Sequence, residues 1–469
     1  MTKSVSEREL ILGILLEVVE NGQYSHLVLR DVLGKYQYLD KKERAFITRV
    51  TEGTLEHMIE LDYILNQFSK VKVKKMKPVI RNILRSAVYQ LKYMDTVPDS
   101  AACNEAVKLA AKKGFGNLRG FVNGVLRSAA RNLGQVVYPA DPVENLSVRY
   151  SMPMWILEMW LKNYQMETVE KMLRQFQSEM PLIVRCKDAD TCGYRQDGGE
   201  EGAVQEKSGD SVSELKKYLA EEGVHVEQHP YLPYALCISG FDYLGGLESF
   251  QKGRFFVQDV SSMLVSEIAD PKEGDRVIDV CAAPGGKALH MAEKLNGTGW
   301  VEARDLTPYK VGLIQENMER TGLKNITAVC QDAAQYDEKS TETADIVIAD
   351  LPCSGLGVLG KKTDLKYKAT EEGSRQLVKL QREILSIVHR YVKPGGILVY
   401  STCTINPAEN MDNVHWFLKE YPQFGLLDIH GRLCEELQKD VVENGCLQLL
   451  PGVHQSDGFF IAGFRKRPE

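Results

Sequence analysis

The 469-residue chain is 43% hydrophobic, 26% charged and carries a net charge of −6, the composition of a globular protein too long for a single ordinary core, so two or three domains are expected. No apolar run is long enough to cross a bilayer, and the run 10–16 follows Glu7 and Glu9 and lacks a small-residue cleavage site, which predicts a cytoplasmic protein with neither membrane span nor secretory leader. Ten cysteines are scattered without a C-x-x-C pair or a Cys/His cluster at zinc spacing, so reduced thiols are expected rather than disulfides or a metal site.

The charge is uneven along the chain. Residues 1–135 hold 22 Lys and Arg against 14 Asp and Glu, which leaves 36 against 50 for the remainder: a basic module on an acidic body. Its segment Lys70-Val71-Lys72-Val73-Lys74-Lys75-Met76-Lys77 suits a solvated face as well as a nucleic-acid contact, and charge alone does not choose between them.

In chain order, residues 5–131 read as helix throughout. Ile80, Ile83, Leu84, Ala87, Val88 and Leu91 recur at helical spacing, and Pro98-Asp99-Ser100 breaks the pattern before the next helix. The first domain, 1–135, is thus expected to be all-helical. From 140 to 250 the pattern mixes, with a strand at 181–185, a helix at 212–222 and another short strand, which predicts a small α+β module. Trp155 and Trp160 fall on a predicted helix and are assigned to core packing. Within this module, 191–210 is rich in Gly, Glu, Asp and Gln and nearly free of apolar residues, a flexible insertion by composition.

The third part, 251–469, alternates strands (276–280, 300–303, 327–330, 345–349, 397–401) with helices, the signature of a doubly wound, Rossmann-like α/β domain. It departs from strict alternation at its end, where 446–450 and 459–464 suggest a closing β-hairpin.

Asp279-Val280-Cys281-Ala282-Ala283-Pro284-Gly285-Gly286-Lys287 links the first of these strands to the next helix. Cys281, Ala282, Ala283, Pro284, Gly285, Gly286 and Lys287 make a tight loop whose small residues let backbone approach a ligand. The fingerprint G-x-G-x-x-G is absent, which disfavours a pyrophosphate cradle. Asp305, past the second strand, is placed to accept hydrogen bonds from a ribose diol, and Asp332, past the third, to meet an adenine amino group. These elements in this order fit S-adenosylmethionine better than NAD. A second glycine-rich run, Gly355-Leu356-Gly357-Val358-Leu359-Gly360-Lys361, nearly matches a P-loop, but Lys362 stands where Ser or Thr must hold magnesium and the run does not open the domain.

Two cysteines follow buried-strand patterns directly, in Asp350-Leu351-Pro352-Cys353 and Ser401-Thr402-Cys403-Thr404. Reactive groups collect at the carboxyl ends of parallel strands. The ordinary role of a lone cysteine is packing, but two such thiols in one domain point to covalent chemistry. The residue types alone do not rank them.

These segments, with Asn406-Pro407, Glu409-Asn410 and Asp457-Gly458-Phe459-Phe460, resemble the RNA cytosine-C5 methyltransferases. Ala87 to Leu91, Val97-Pro98, Asn104 to Val107 and Gly120 to Arg127 resemble the NusB-like RNA-binding domain, and the two together resemble the Sun/Fmu branch that methylates small-subunit ribosomal RNA. Lys310 departs from that pattern, standing where the family often has arginine. The resemblance implies methylation of carbon 5 of one cytosine in 16S ribosomal RNA, S-adenosylmethionine as cofactor, and a monomer. It assigns Cys403 as nucleophile, Cys353 as helper in releasing the methylated base, and Asp350 to the base, with Asp350 also closing the cofactor set. Cys281 and Cys330 are expected to be chemically inert. Two other readings compete: a methyltransferase of another RNA such as tRNA, and a non-catalytic RNA-binding or antitermination factor.

Overall fold

The computed structural model describes residues 6–36, 38–187 and 208–468. The stretch 191–207 of the sequence-defined insertion lies outside them. The chain divides into two compact units, Met1–Ser178 with Leu359–Thr370, and Glu179–Val358 with Glu371–Glu469.

The first unit is built from α1 (Glu7–Val19), α2 (Ser25–Lys35), α3 (Lys41–Glu56), α4 (Met58–Phe68), α5 (Pro78–Tyr93), α6 (Asp99–Lys112), α7 (Arg119–Asn132), α8 (Pro142–Arg149), α9 (Met154–Leu161) and α10 (Met166–Phe176). Local chemistry sets several starts. Asp40 and Glu43 form a reciprocal capping box on α3, and Pro78 and Pro142 occupy first-turn positions where the missing N–H costs nothing. The α5 stripe expected from spacing is real: Ile80, Ile83, Leu84, Ala87 and Val88 are buried, Leu91 half-buried. The lysines of 70–77 are exposed, while Val73 and Met76 between them are buried pins. Trp160 is fully buried with its ring 6.1 Å from that of Phe176. Helices α8–α10, which by sequence open the middle module, are grouped with the helical unit.

A strap from much later in the chain completes this unit. In Leu359–Thr370, the buried Asp364 accepts hydrogen bonds from Ser25 N (3.1 Å) and Ser25 Oγ (2.6 Å), giving α2 the anionic cap that its own N-cap residue Tyr24 does not supply. Lys366 Nζ donates to the carbonyl of Glu56 (2.8 Å), the last residue of α3, a cation at a helix C-terminus. Burial pushes the Lys366 ammonium down to about 7. Replacing Asp364 with Ala strips α2 of its cap and leaves the Ser25 hydroxyl without its acceptor. The expected cost is about 2 kcal/mol, read as a lower denaturant midpoint of the full chain; an unchanged midpoint overturns the capping role.

The second unit contains two sheets. The smaller is antiparallel, with β1 (Leu182–Cys186), β2 (His225–Gln228), β3 (Ala235–Ser239) and β4 (Phe255–Val257) in the order β2-β3-β1-β4, and α11 (Ser208–Glu221) against it. Buried Arg185 of β1 pairs with Glu293 and donates to Gln258 Oε1 (2.8 Å). Glu293 belongs to the helix Gly286–Lys294, so the small sheet is fastened to the helix that follows the glycine loop.

The larger sheet holds β5 (Arg276–Asp279), β6 (Trp300–Asp305), β7 (Ile326–Cys330), β8 (Ala344–Asp350), β9 (Val392–Thr402), β10 (Phe424–Leu426), β11 (Val441–Val442), β12 (Cys446–Leu449) and β13 (Phe459–Lys466). Its order is β11-β12-β13-β9-β8-β5-β6-β7, with β10 on β13. The five strands β5–β9 pair in parallel, and β13 returns antiparallel along β9. This is the doubly wound arrangement with a terminal hairpin that alternation predicts. Strand β9 starts at Val392, well before the expected 397, because Pro394-Gly395-Gly396 hides its first half from any propensity argument. Among the described residues no helix is long and apolar enough to cross a membrane.

Candidate active site

The site forms where β5, β8 and β9 end side by side. Register places Asp350 opposite Ser401 on the adjacent parallel strands, so the chains leaving β8 and β9 emerge together. Cys353 Sγ and Cys403 Sγ lie 3.2 Å apart, although 50 positions separate them in sequence. The Cys353 thiol is raised well above the ordinary range, first by its hydrogen bond with Cys403, then by burial and by the charges of Cys403 and Glu409. The shift favours the protonated thiol at Cys353, and either sulfur of the pair can donate.

Beside the thiols, Asp350 Oδ2 accepts from Lys287 Nζ (2.7 Å) and Asp350 Oδ1 from Ser401 Oγ (2.8 Å). Each Asp350 oxygen therefore has one donor, an ammonium on one and a hydroxyl on the other. The glycine run that imitates a P-loop has another use. Gly357 N donates to the carbonyl of Cys403 (3.0 Å), and a Cβ at Gly357 would fall 1.8 Å from Gly458 O. Only glycine admits this close passage of two backbones behind the thiol.

The loop after β5 folds back on its neighbours. Ala282 N donates to Arg304 O (2.8 Å), Ala283 N to Asp305 Oδ2 (3.0 Å), and Gly285, at φ +109°, turns the chain into the helix that begins at Gly286. The Pro284 carbonyl accepts from Asn317 (3.0 Å). Asp305 is buried, takes a second bond from Leu306 N (2.7 Å) and pairs with Lys310 (2.9 Å). Asp332 accepts from Ala334 N (2.9 Å), and the neighbouring Gln331 N reaches Asp305 O (2.9 Å), which brings the two acidic loops together. Cys281 is raised by burial first and by Asp279 next, so its thiol is inert, and its N–H points to Asp279 Oδ1 (3.3 Å). Cys330 is exposed and its sulfur lies 3.6 Å from the Leu306 carbonyl.

Two site residues were absent from the sequence-based set. Asp279, the last residue of β5, is buried, and its Oδ2 has no hydrogen-bond partner among the described residues. Burial pushes its carboxyl up to about 7; Lys287 opposes this and the Asp350 charge adds to it. Leu306 is 57% exposed immediately after Asp305, an apolar face at the rim of the loop. The sequence signals were slight: an acidic residue closing an apolar strand, and an apolar residue where a polar loop begins.

These groups fit S-adenosylmethionine. The orphaned Asp279 oxygen suits a cationic group, Asp305 and Asp332 suit hydroxyl and amino donors, and Leu306 offers a surface to an aromatic base. If Asp279 meets that positive charge, cofactor affinity is expected to fall about tenfold for each pH unit below 7, as the carboxylate is lost. Asp279→Asn should flatten the profile; calorimetric titration of both proteins between pH 5.5 and 8 checks this, and an identical slope in the variant counts against the contact.

Fold and site together define an S-adenosylmethionine-dependent methyltransferase. The family model for the 16S rRNA methyltransferase RsmB/F matches residues 266–465, and that for the NusB family matches 5–131. The probable ribosomal RNA small subunit methyltransferase B of Bacillus subtilis is 37% identical, the match spanning 99% of this chain and 100% of the relative. The ribosomal RNA small subunit methyltransferase B of Klebsiella pneumoniae is 28% identical over the full length of both. The crystal structure of PH0851 superposes at a TM-score of 0.79 over 99% of each chain at 24% identity, a likeness of fold. The chain belongs to the RsmB/F family of 16S rRNA methyltransferases.

Proposed function

We propose that this enzyme methylates carbon 5 of a specific cytosine in 16S ribosomal RNA through a covalent adduct, with Cys403 as nucleophile and Cys353 as the releasing thiol. The observation that carries the reading is the pair of sulfurs 3.2 Å apart beside the Asp350–Lys287 ion pair. Carbon 5 of cytosine is a poor nucleophile. Addition of a thiolate at carbon 6 gives it enamine character, one hard step split into easier ones. Asp350 accepts a hydrogen bond from the pyrimidine amidine edge, stabilising a proton at nitrogen 3 as electron density moves into the ring, and Lys287 holds positive potential close by. S-adenosylmethionine supplies the methyl group, carried on a sulfonium. Water then takes the proton from carbon 5, the electrons of that bond restore the 5,6 double bond and expel Cys403 as its thiolate, nitrogen 3 returns to solvent the proton it took up during addition, and the Cys353 thiol hydrogen-bonds the departing sulfur.

The parts divide accordingly: 1–135 as a helical RNA grip, 140–250 as an α+β RNA-binding module, 251–469 as the catalytic domain, acting as a cytoplasmic monomer. The target base must leave its stack or sit in a loop to reach the thiols. Bisulfite mapping of ribosomal and transfer RNA from cells with and without the gene tests the proposal. One 16S cytosine losing its protection supports it; loss at a tRNA cytosine alone, or at none, overturns it.

A further inference from the structure

Behind the two thiols lies a buried polar network that the reaction as described does not use. Glu409 is fully buried, and among the described residues no cation pairs with it. Its Oε2 accepts from Ser354 N (2.9 Å) and Gln381 Nε2 (3.0 Å), and its Oε1 from Asn406 Nδ2 (2.9 Å) and Ser374 Oγ (3.4 Å). Gln381 Nε2 also donates to Pro352 O (2.9 Å). Glu409 therefore grips both neighbours of Cys353, directly on one side and through Gln381 on the other.

The next residue does the same for the other cysteine. Asn410 Oδ1 accepts from Thr402 Oγ1 (2.6 Å), while its Nδ2 donates to Thr404 O (3.0 Å) and to Gln448 Oε1 (2.8 Å). Thr402 and Thr404 flank Cys403. A hydroxyl pair, Ser354 Oγ and Thr404 Oγ1 at 2.7 Å, ties the two loops to each other. Buried polar groups are costly unless fully partnered, and here three of the partners, Ser354, Thr402 and Thr404, are immediate neighbours of one thiol or the other.

We propose that Glu409 and Asn410 are the positioning pair of the reaction: Glu409 seats the releasing thiol Cys353, Asn410 seats the nucleophile Cys403, and their adjacency in one turn sets the spacing between the sulfurs. This rests on the roles proposed for the two cysteines. Neither residue touches the base. Misplacing a reacting group by about 1 Å costs on the order of a hundredfold, so each single loss should impair one half-reaction and not the other.

The test uses the full chain, S-adenosylmethionine and 16S RNA from cells lacking the gene. It compares Glu409→Ala and Asn410→Ala with Cys353→Ala and Cys403→Ala, reading both turnover and the denaturant-stable protein–RNA adduct. Cofactor affinity by calorimetry reports whether each variant is folded. Glu409→Ala is expected to lose about a hundredfold in turnover while adduct builds up, as for Cys353→Ala. Asn410→Ala is expected to lose as much with no adduct, as for Cys403→Ala. Where Glu409→Ala fails to bind cofactor, Glu409→Gln, which keeps the size and one acceptor oxygen, is read in the same assay and should show a weaker accumulation. If Cys353→Ala traps adduct but the Glu409 variants do not, or if the Glu409 and Asn410 variants behave alike, the positioning pair is overturned alone. If Cys353→Ala traps none, the cysteine roles fall and the pair falls with them.

Discussion

Cys403→Ala is expected to lower methyl transfer to 16S RNA by roughly four orders of magnitude or more while leaving S-adenosylmethionine affinity within about twofold of wild type. The asymmetry follows from the geometry. Cys403 leaves β9 and makes its sulfur contact with Cys353, whereas the proposed cofactor groups lie elsewhere, Asp279 ending β5, Asp305 ending β6 and Asp332 in the loop after β7. In the proposed reaction, removing the sulfur removes the atom that adds to the ring. The Cys353 thiol is raised well above its ordinary range and is assigned the release in the proposal, and burial raises the Cys281 thiol. Labelled-methyl incorporation and calorimetry on the same preparation measure the two quantities. Wild-type turnover in the variant sinks the assignment of the nucleophile.

Cys353→Ala is expected to do the opposite to the adduct. In the proposed reaction addition to carbon 6 needs Cys403, but its departure draws on the thiol 3.2 Å away, which would stabilise the leaving sulfur by donating to it. Without that donor, turnover should fall by about 10²–10⁴-fold, the range of a lost acid–base group, and a protein–RNA species resistant to denaturant should accumulate. A denaturing gel with end-labelled 16S RNA reads it directly. Equal low turnover with no adduct would mean that Cys353 serves the attack rather than the release.

Much of this architecture was legible in the chain because strand and helix periods alternate cleanly from Arg276 onward, and because short loops at strand ends carry unusual residues. The strands containing Ile346 to Ala349 and Ile397 to Tyr400 stand side by side, so their two cysteines meet. Other features depend on partners that no local pattern names. Asp279 reads as the end of a strand, and its burial between β6 and β8, on which its partners in register are Ala303 and Ile348, is not written in the local pattern. Glu409 and Asn410 are visible as part of a motif, yet what they hold is decided by Ser354, Gln381 and Thr402, brought in from elsewhere. The three-residue β4 and the Pro-Gly-Gly start of β9 are too short or too irregular for periodicity to reveal. The roles of the two thiols, in contrast, rest on chemistry and family resemblance rather than on any pattern of spacing.

The strap also bears on how such a protein can be cut and recombined. A unit that runs from the N-terminus to Ser178 and then borrows Leu359–Thr370 has no counterpart as one uninterrupted stretch of gene. A fragment ending at 178 leaves α2 with its first-turn donors uncapped, and a fragment starting at 179 carries an arm whose buried Asp364 and Lys366 have lost their partners. A chimaera that exchanges the helical part between relatives is therefore expected to need the matching arm, Leu359–Thr370, from the same parent.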